Sequence, residues 1–129
     1  MDAHEYLDGG TVRVAPETYA VCRLDPGATP PPTAFAVLRD ETETTVVVDQ
    51  DAGAPAAATE VARDWRRLTF EMELPFDLVG FLALVAGELA DVGVSIFALS
   101  SYSTDHVLVK EDDLATATER LDDLGRVVV

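Results

Sequence analysis

The sequence predicts an α+β fold in which the second half follows the order β-α-β-β-α-β. Residues 66–74 alternate between apolar and polar side chains, as a half-buried strand does. Two stretches, 76–93 and 111–125, place apolar residues at helical spacing. Two strands within 94–109 separate these helices, and residues 126–129 close as a further strand. This order is that of the split βαβ, or ferredoxin-like, unit.

The elements of the second half carry start and stop signals. The strand at 66–74 ends at Pro75, and Asp77 is expected to cap the first helix. That helix is expected to stop at Gly93 in the left-handed conformation. Its inward-facing residues are Leu78, Leu82, Val85, Leu89 and Val92. The second helix has acidic residues in its first turn, which suits the helix dipole, and ends at Gly125.

The first half shows a weaker version of the same order. Residues 11–14 and 19–24 are predicted as two strands, and 35–40 with 44–49 as a hairpin. Between them, three consecutive prolines exclude a helix because they remove amide donors and fix φ. The stretch after the hairpin fits either a linker or a short helix that opens at Pro55 and spans 55–62. These residues alone leave open whether the first half repeats the second.

Length and composition indicate a globular chain of two small parts. The chain has 129 residues, 48% of them hydrophobic, which is enough to bury a core. A stretch rich in Ala, Gly and Pro at 51–60 interrupts the pattern. We therefore expect domains at 1–62 and 63–129.

The charge of the chain is strongly negative and evenly spread. Asp and Glu number 24 against nine basic residues, for a net charge of −15. Self-repulsion of this size is relieved at molar salt, where the Debye length falls to about 3 Å, so the composition indicates a halophilic protein. Nucleic-acid binding is not expected, because phosphate contacts need clustered Lys and Arg.

Targeting and cysteine signals are sparse. No apolar run approaches the roughly 20 residues that span a bilayer, and the acidic N-terminal residues lack the order of a signal peptide. A cytoplasmic protein without membrane contact is expected. The single Cys22 lies in an apolar run and is interpreted as a buried structural thiol. Neither a cofactor nor a metal site is predicted.

Six polar or polar-tipped residues occupy positions 100–105, at the junction of the two strands within 94–109. A turn explains only some of them, because a tight turn needs few polar positions. The others require a further explanation.

Residues 74–114 resemble an ACT domain, the small ferredoxin-like module that binds amino acids and regulates metabolic enzymes. The similarity is closest to the free-standing two-ACT proteins related to the regulatory half of aspartate kinase and to the CASTOR arginine sensors. The motif residues are Gly80, Gly93, Ser95, Ile96, Ser100, Tyr102, Thr104, Asp105, Leu108 and Val109. The run 19–24 and the following proline loop are similar to the first half of those proteins. The resemblance thus implies an ACT unit at 63–129 and a second, degenerate ACT-like unit at 1–62.

The resemblance also implies a ligand site between the first strand–helix turn and the polar junction. Backbone N–H groups at the helix start would bind a carboxylate, and Asp105 would pair with an ammonium group. Ser100, Ser101 and Thr104 would hydrogen-bond the ligand, and Tyr102 would form a wall. The full set is Phe76, Asp77, Leu78, Val79, Gly80, Ser100, Ser101, Tyr102, Thr104 and Asp105, with the N–H groups assigned to Leu78, Val79 and Gly80.

Alternatives remain at the level of the sequence. Asp105 can cap the turn and Asp77 the helix, and Tyr102 can be ordinary edge packing. The predicted partners are an amino acid, either cationic or neutral, a second copy in a homodimer, and a regulated protein. A ligand-free interaction module is the alternative function. An enzyme is not predicted, because no phosphate-cradling Gly-rich motif and no nucleophile–His pair with a meaningful spacing is present.

Overall fold

The structure is a computed structural model that describes residues 10–71, 78–124 and 127–129. Its strands are β1 (Thr11–Leu24), β2 (Ala36–Arg39), β3 (Thr44–Asp49), β4 (Glu60–Phe70), β5 (Ile96–Ser100), β6 (Asp105–Lys110) and β7 (Val127–Val128). The α-helices are α1 (Phe81–Asp91) and α2 (Leu114–Asp123), and two short 3-10 helices span Gln50–Ala52 and Glu111–Asp113.

The chain divides into two compact units. The first, here the helical unit, comprises Met1–Ala15 and Arg66–Val129, and the second, here the strand unit, comprises Pro16–Trp65. Strands β1 and β4 each contribute residues to both units, because the unit boundaries fall inside them.

The sheet of the helical unit has the order β7-β1-β4-β6-β5. Strands β5 and β6 form an antiparallel hairpin in which Ser100 lies opposite Asp105. Strand β7 pairs in parallel with the start of β1, with Thr11 opposite Val127. The predicted α+β class and ferredoxin-like element order are confirmed for this unit, with the start of β1 lying between β4 and β7.

The core of the helical unit joins both helices to the sheet. Its buried residues are Val12, Leu68, Phe70, Phe81, Val85, Leu89, Val94, Val107, Val109, Ala117 and Leu121. Phe70 and Phe81 meet edge to face, with ring centroids 5.1 Å apart. Between the helices, the Arg120 guanidinium donates to Glu88 Oε2 from Nη2 at 2.6 Å and from Nε at 2.9 Å. Of the residues predicted to face inward from the first helix, Val85 and Leu89 are buried and Leu78, Leu82 and Val92 are partly buried against this core, whereas the buried Phe81 was not predicted.

Helix α1 begins later than the sequence predicted. Its N-cap is Gly80, with φ 86° and ψ 6°, whereas Asp77 was expected in that role. Asp77 and Phe76 lie outside the described residues, as does Gly125, the predicted end of α2. At the other end of α1, Gly93 has φ 79°, which confirms the predicted left-handed stop.

Strand β1 is continuous, so the prediction of separate strands at 11–14 and 19–24 is wrong. The chain stays extended while it changes partner, from β7 at Thr11 to β3 at Tyr19. Pro16 lies between the two paired stretches, where its missing N–H removes no bond to either partner. Two short strand signals around a proline thus belong to one long strand.

The strand unit has the order β2-β3-β1-β4. The predicted hairpin is confirmed by the antiparallel pairing of β2 with β3. Its turn is held by Asp40 Oδ1, which accepts hydrogen bonds from the backbone N–H groups of Thr42 at 2.7 Å and Glu43 at 2.9 Å. A small apolar cluster, which includes Cys22 at 1% exposure, forms the core of the strand unit. Burial raises the pKa of this thiol, as expected of a structural cysteine.

The predicted helix at 55–62 is wrong, because the chain makes one turn there and enters β4. The Ala58 N–H donates to the Pro55 carbonyl at 3.0 Å. The Thr59 N–H and hydroxyl both donate to the Arg23 carbonyl, at 2.8 and 3.2 Å. So short a helix is marginal without tertiary packing, whereas these bonds hold the chain against β1. No helix in the described ranges is long and apolar enough to cross a membrane.

Candidate ligand site

A cavity of about 380 Å³ in the helical unit lies between the start of α1 and the turn that joins β5 to β6. It brings together the predicted residues Leu78, Gly80, Ser100, Ser101, Tyr102, Thr104 and Asp105. Val79 does not line it and is 87% exposed. The predicted Phe76 and Asp77 lie outside the described residues.

The cavity also has walls that sequence reasoning missed. These are Phe81, Leu82, Ala83 and Ser103. The signal for the first three was present, because the apolar run after Gly80 marks where α1 can begin. It was masked by Asp77, which is a stronger N-cap residue than glycine.

The start of α1 presents backbone donors to the cavity. The first helical hydrogen bond runs from the Leu84 N–H to the Gly80 carbonyl, at 2.9 Å. Four N–H groups precede it and have no acceptor within the helix: those of Gly80, Phe81, Leu82 and Ala83. The sequence placed these donors at Leu78, Val79 and Gly80; because the helix begins after the left-handed Gly80, the set lies further along the chain and shares only Gly80 with the predicted one. Because the helix dipole is positive here, this wall of the cavity suits a carboxylate.

The lining of the same cavity also carries a carboxylate. Asp105 is half-buried and lies on the same face of β6 as the buried Val107 and Val109. The Ser100 hydroxyl donates to Asp105 Oδ1 at 2.6 Å, across the paired ends of β5 and β6. Among the described residues that line the cavity, none carries a positive charge. The Asp105 carboxylate is therefore placed to accept hydrogen bonds from a cationic group in the cavity.

The turn itself uses two of the predicted hydroxyls. Ser101 donates to the Thr104 carbonyl from its N–H at 2.9 Å and from its hydroxyl at 3.0 Å. The Thr104 hydroxyl donates to the Phe70 carbonyl at 2.6 Å, which ties the turn to β4. Tyr102 lies at the tip and is 80% exposed, so its ring does not fill the cavity. These bonds show that Ser101 and Thr104 shape the site.

His106 lies on the face of β6 opposite Asp105. The Thr69 hydroxyl accepts from Arg67 Nη1 at 2.8 Å and lies 2.8 Å from His106 Nδ1, to which it can donate. Nε2 lies 3.3 Å from the Ser101 hydroxyl, so the network suits a neutral ring protonated on Nε2. Burial, aided by the Arg67 charge and opposed by Asp105, lowers the pKa of His106. Within the described part of the chain, no group of three His, Cys, Asp or Glu could hold a metal ion.

We expect the protein to become less stable as the pH falls, because His106 resists protonation in the folded state. The unfolded chain takes up the proton near pH 6.5, whereas the folded protein resists it. The contribution is therefore complete above about pH 6.5 and is lost as the pH falls below it. Urea unfolding at pH 7.5 and pH 5.5 measures the loss, which should shrink in His106→Gln and persist in His4→Gln. An unchanged loss in His106→Gln would contradict this assignment.

Residues 60–123 match the family model of the ACT domain. In sequence, the rat protein named cytosolic arginine sensor for mTORC1 subunit 1 is 42% identical over 48 residues, which are 37% of this chain and 14% of the rat protein. The match thus covers a small part of that relative's length.

Two solved structures share the fold over nearly the whole chain. A protein from Agrobacterium tumefaciens superposes with a TM-score of 0.80 at 24% identity, over 93% of this chain and 92% of that one. The regulatory subunit of aspartate kinase from Thermus thermophilus, in its ligand-free form, superposes with a TM-score of 0.64 at 12% identity, over 91% of this chain and 99% of that one. At these identities the similarity concerns the fold.

Proposed function

We propose that the ACT domain matched by residues 60–123 is a non-catalytic regulatory module that binds a free amino acid in the cavity at the start of α1. The ACT family is regulatory, and its members typically bind small ligands. The observation that carries the proposal is that one cavity is lined both by the helix-start residues Phe81, Leu82 and Ala83, with their backbone donors, and by the Asp105 carboxylate.

An amino acid zwitterion matches this combination of donors and negative charge. Its carboxylate would accept hydrogen bonds from the N–H groups at the start of α1. Among the described lining residues, no basic side chain offers the carboxylate an alternative partner. Its ammonium would donate to Asp105, whose Oδ1 already accepts from Ser100. The volume of about 380 Å³ lies within the roughly 300–1,000 Å³ of small-molecule sites.

We propose amino acids with a cationic side chain as the ligand class. The chain carries a net charge of −15, so its field concentrates cations around it. The rat relative is named an arginine sensor, although the match to it is short. Asp105 would serve an α-ammonium or a cationic side chain, and a preference for neutral amino acids is therefore a distinct outcome of the test.

The rival function is a ligand-free ACT-fold module for protein interaction or dimerisation. It is favoured by the strand unit, in which a proline loop and a 3-10 helix at Gln50–Ala52 stand between the strands. It is disfavoured by the open cavity, since Tyr102 does not occupy it. The ligand-binding function is therefore the better supported of the two.

The wider arrangement proposed is a tandem of two ACT units, at 1–62 and 63–129, with the first degenerate. Support comes from strand order. In the first unit, β3 of the β2–β3 hairpin lies beside β1, and in the second, β6 of the β5–β6 hairpin lies beside β4. In both cases the second strand of the hairpin is next to the strand that comes before the hairpin. We further propose that the protein forms a homodimer in a salt-rich cytoplasm and reports its ligand to a partner protein.

Thermal unfolding in molar KCl against each of the twenty amino acids tests the ligand proposal. An amino acid at a hundredfold excess over its Kd should add about 2.7 kcal/mol, a rise in Tm on the order of 10 °C. Asp105→Asn should abolish the rise, because a neutral amide cannot pair with the ammonium. Asp112→Asn, which removes one exposed charge outside the cavity lining, should retain it.

The outcomes separate the two functions. A rise that survives in Asp105→Asn would place the ligand elsewhere. No rise with any amino acid, in a protein that unfolds cooperatively, would leave the interaction module as the function.

A further inference from the structure

A second cavity lies wholly within the strand unit and has a different character. Its volume is about 630 Å³, and its walls are largely apolar, with aromatic rings and prolines. The residues that matter for its chemistry are Glu17, Tyr19, Pro31, Phe35, Asp49 and Pro55. It shares no residue with the cavity at the start of α1.

Two aromatic rings form adjoining walls of this cavity. The centroids of Tyr19 and Phe35 are 5.8 Å apart and their planes are inclined at 61°, so the two rings present differently oriented surfaces. Tyr19 is buried at 4% exposure, whereas Phe35 is 36% exposed. Aromatic rings attract cations through the negative potential of their faces, within about 6 Å of the ring centre.

Two carboxylates lie beside these rings. Glu17 Oε2 accepts from the Tyr19 hydroxyl at 3.4 Å, and Asp49 Oδ1 accepts from the Asp51 N–H at 3.0 Å. Among the described lining residues, none is basic. The cavity therefore combines an apolar aromatic wall with negative charge.

We infer that this cavity binds a small organic cation, an ammonium group that carries apolar substituents. Inorganic cations such as Ca²⁺ take six to eight oxygen ligands, which two partly engaged carboxylates and apolar walls do not supply. A neutral apolar ligand would leave the carboxylates without a counter-charge. An alkylated ammonium satisfies both features, because its methyl groups contact the rings and prolines while its charge faces Glu17 and Asp49.

Isothermal titration with choline in molar KCl tests the inference, with the neutral isostere 3,3-dimethyl-1-butanol as the matched ligand. Choline should bind at least about tenfold more tightly than the alcohol, a difference of ~1.4 kcal/mol. Phe35→Leu, which keeps an apolar side chain but removes the ring, should weaken choline binding by about the same factor. Glu17→Gln, which keeps an acceptor for the Tyr19 hydroxyl, should also weaken it.

Variants of the two sites keep this inference separate from the amino-acid proposal. Asp105→Asn should bind choline as the wild type does, since Asp105 does not line this cavity. Equal binding of choline and its neutral isostere, no binding of choline at millimolar concentration, or undiminished binding in Phe35→Leu with an unchanged Tm would each overturn the inference.

Discussion

Replacing Phe70 with alanine should lower the free energy of unfolding by about 3–5 kcal/mol. The Phe70 side chain is 0% exposed and lies in the core shared by β4, α1 and α2. Its ring contacts that of Phe81 edge to face, an arrangement that adds about 0.5–1.5 kcal/mol beyond burial. The substitution removes the transfer free energy of burying the ring and the contact with Phe81. It also leaves a cavity, whose lining residues lose their van der Waals contacts with the ring.

Urea unfolding with a linear extrapolation measures the effect. Phe70→Leu is the matched control, because it retains most of the apolar volume and should lose much less than the alanine variant. Because Phe81 lines the proposed ligand cavity, Phe70→Ala should also weaken amino-acid binding in any fraction that remains folded. A loss below about 1 kcal/mol for Phe70→Ala would contradict the assigned core position.

Alanine at Gly80 should destabilise the protein by about 1–2 kcal/mol, whereas alanine at Gly87 should stabilise it by about 0.5–1 kcal/mol. A Cβ would meet open space at either position, so contacts do not distinguish the two. The backbone does, because Gly80 has φ 86° and Gly87 lies inside the right-handed α1. The opposite signs therefore isolate the cost of the left-handed conformation.

Chemical unfolding of both variants, with the amino-acid titration repeated on each, completes the comparison. Gly80→Ala should weaken binding, since the helix start that aims the donors of Phe81, Leu82 and Ala83 depends on this conformation. Gly87 does not line the cavity, so its variant should bind as the wild type does. Destabilisation of equal size at the two glycines would refute the assignment.

Local pattern was sufficient where an element is defined by its own residues. The β5–β6 hairpin follows from two apolar strands around a polar junction, and its register places Ser100 opposite Asp105. The faces of α1 and α2 follow from apolar spacing, because residues one turn apart share a face. The prediction that Gly80 and residues 100–105 share a site came from family resemblance, and the structure places them on one cavity.

Local pattern failed where two signals competed or where a distant partner decided. Asp77 was expected to cap the first helix, whereas α1 begins after the left-handed Gly80, and its first residue, Phe81, packs against Phe70 of β4. The stretch at 55–62 has the composition of a helix but makes a turn, because Thr59 bonds to the Arg23 carbonyl. These partners lie far away in sequence, so a prediction from neighbouring residues cannot include them.

By itself, the sequence determined the α+β class, the order of elements in the second half, the acidic character of the chain and the polar junction that ends in Asp105. These depend on composition and on periods of two and 3.6 residues, which are properties of neighbouring residues. Only the tertiary structure decided that β1 is one strand with a different partner at each end, and that the first residues of α1 line one cavity with Asp105. Those features depend on pairing and packing between residues remote in sequence, where burial of apolar side chains outweighs local preference.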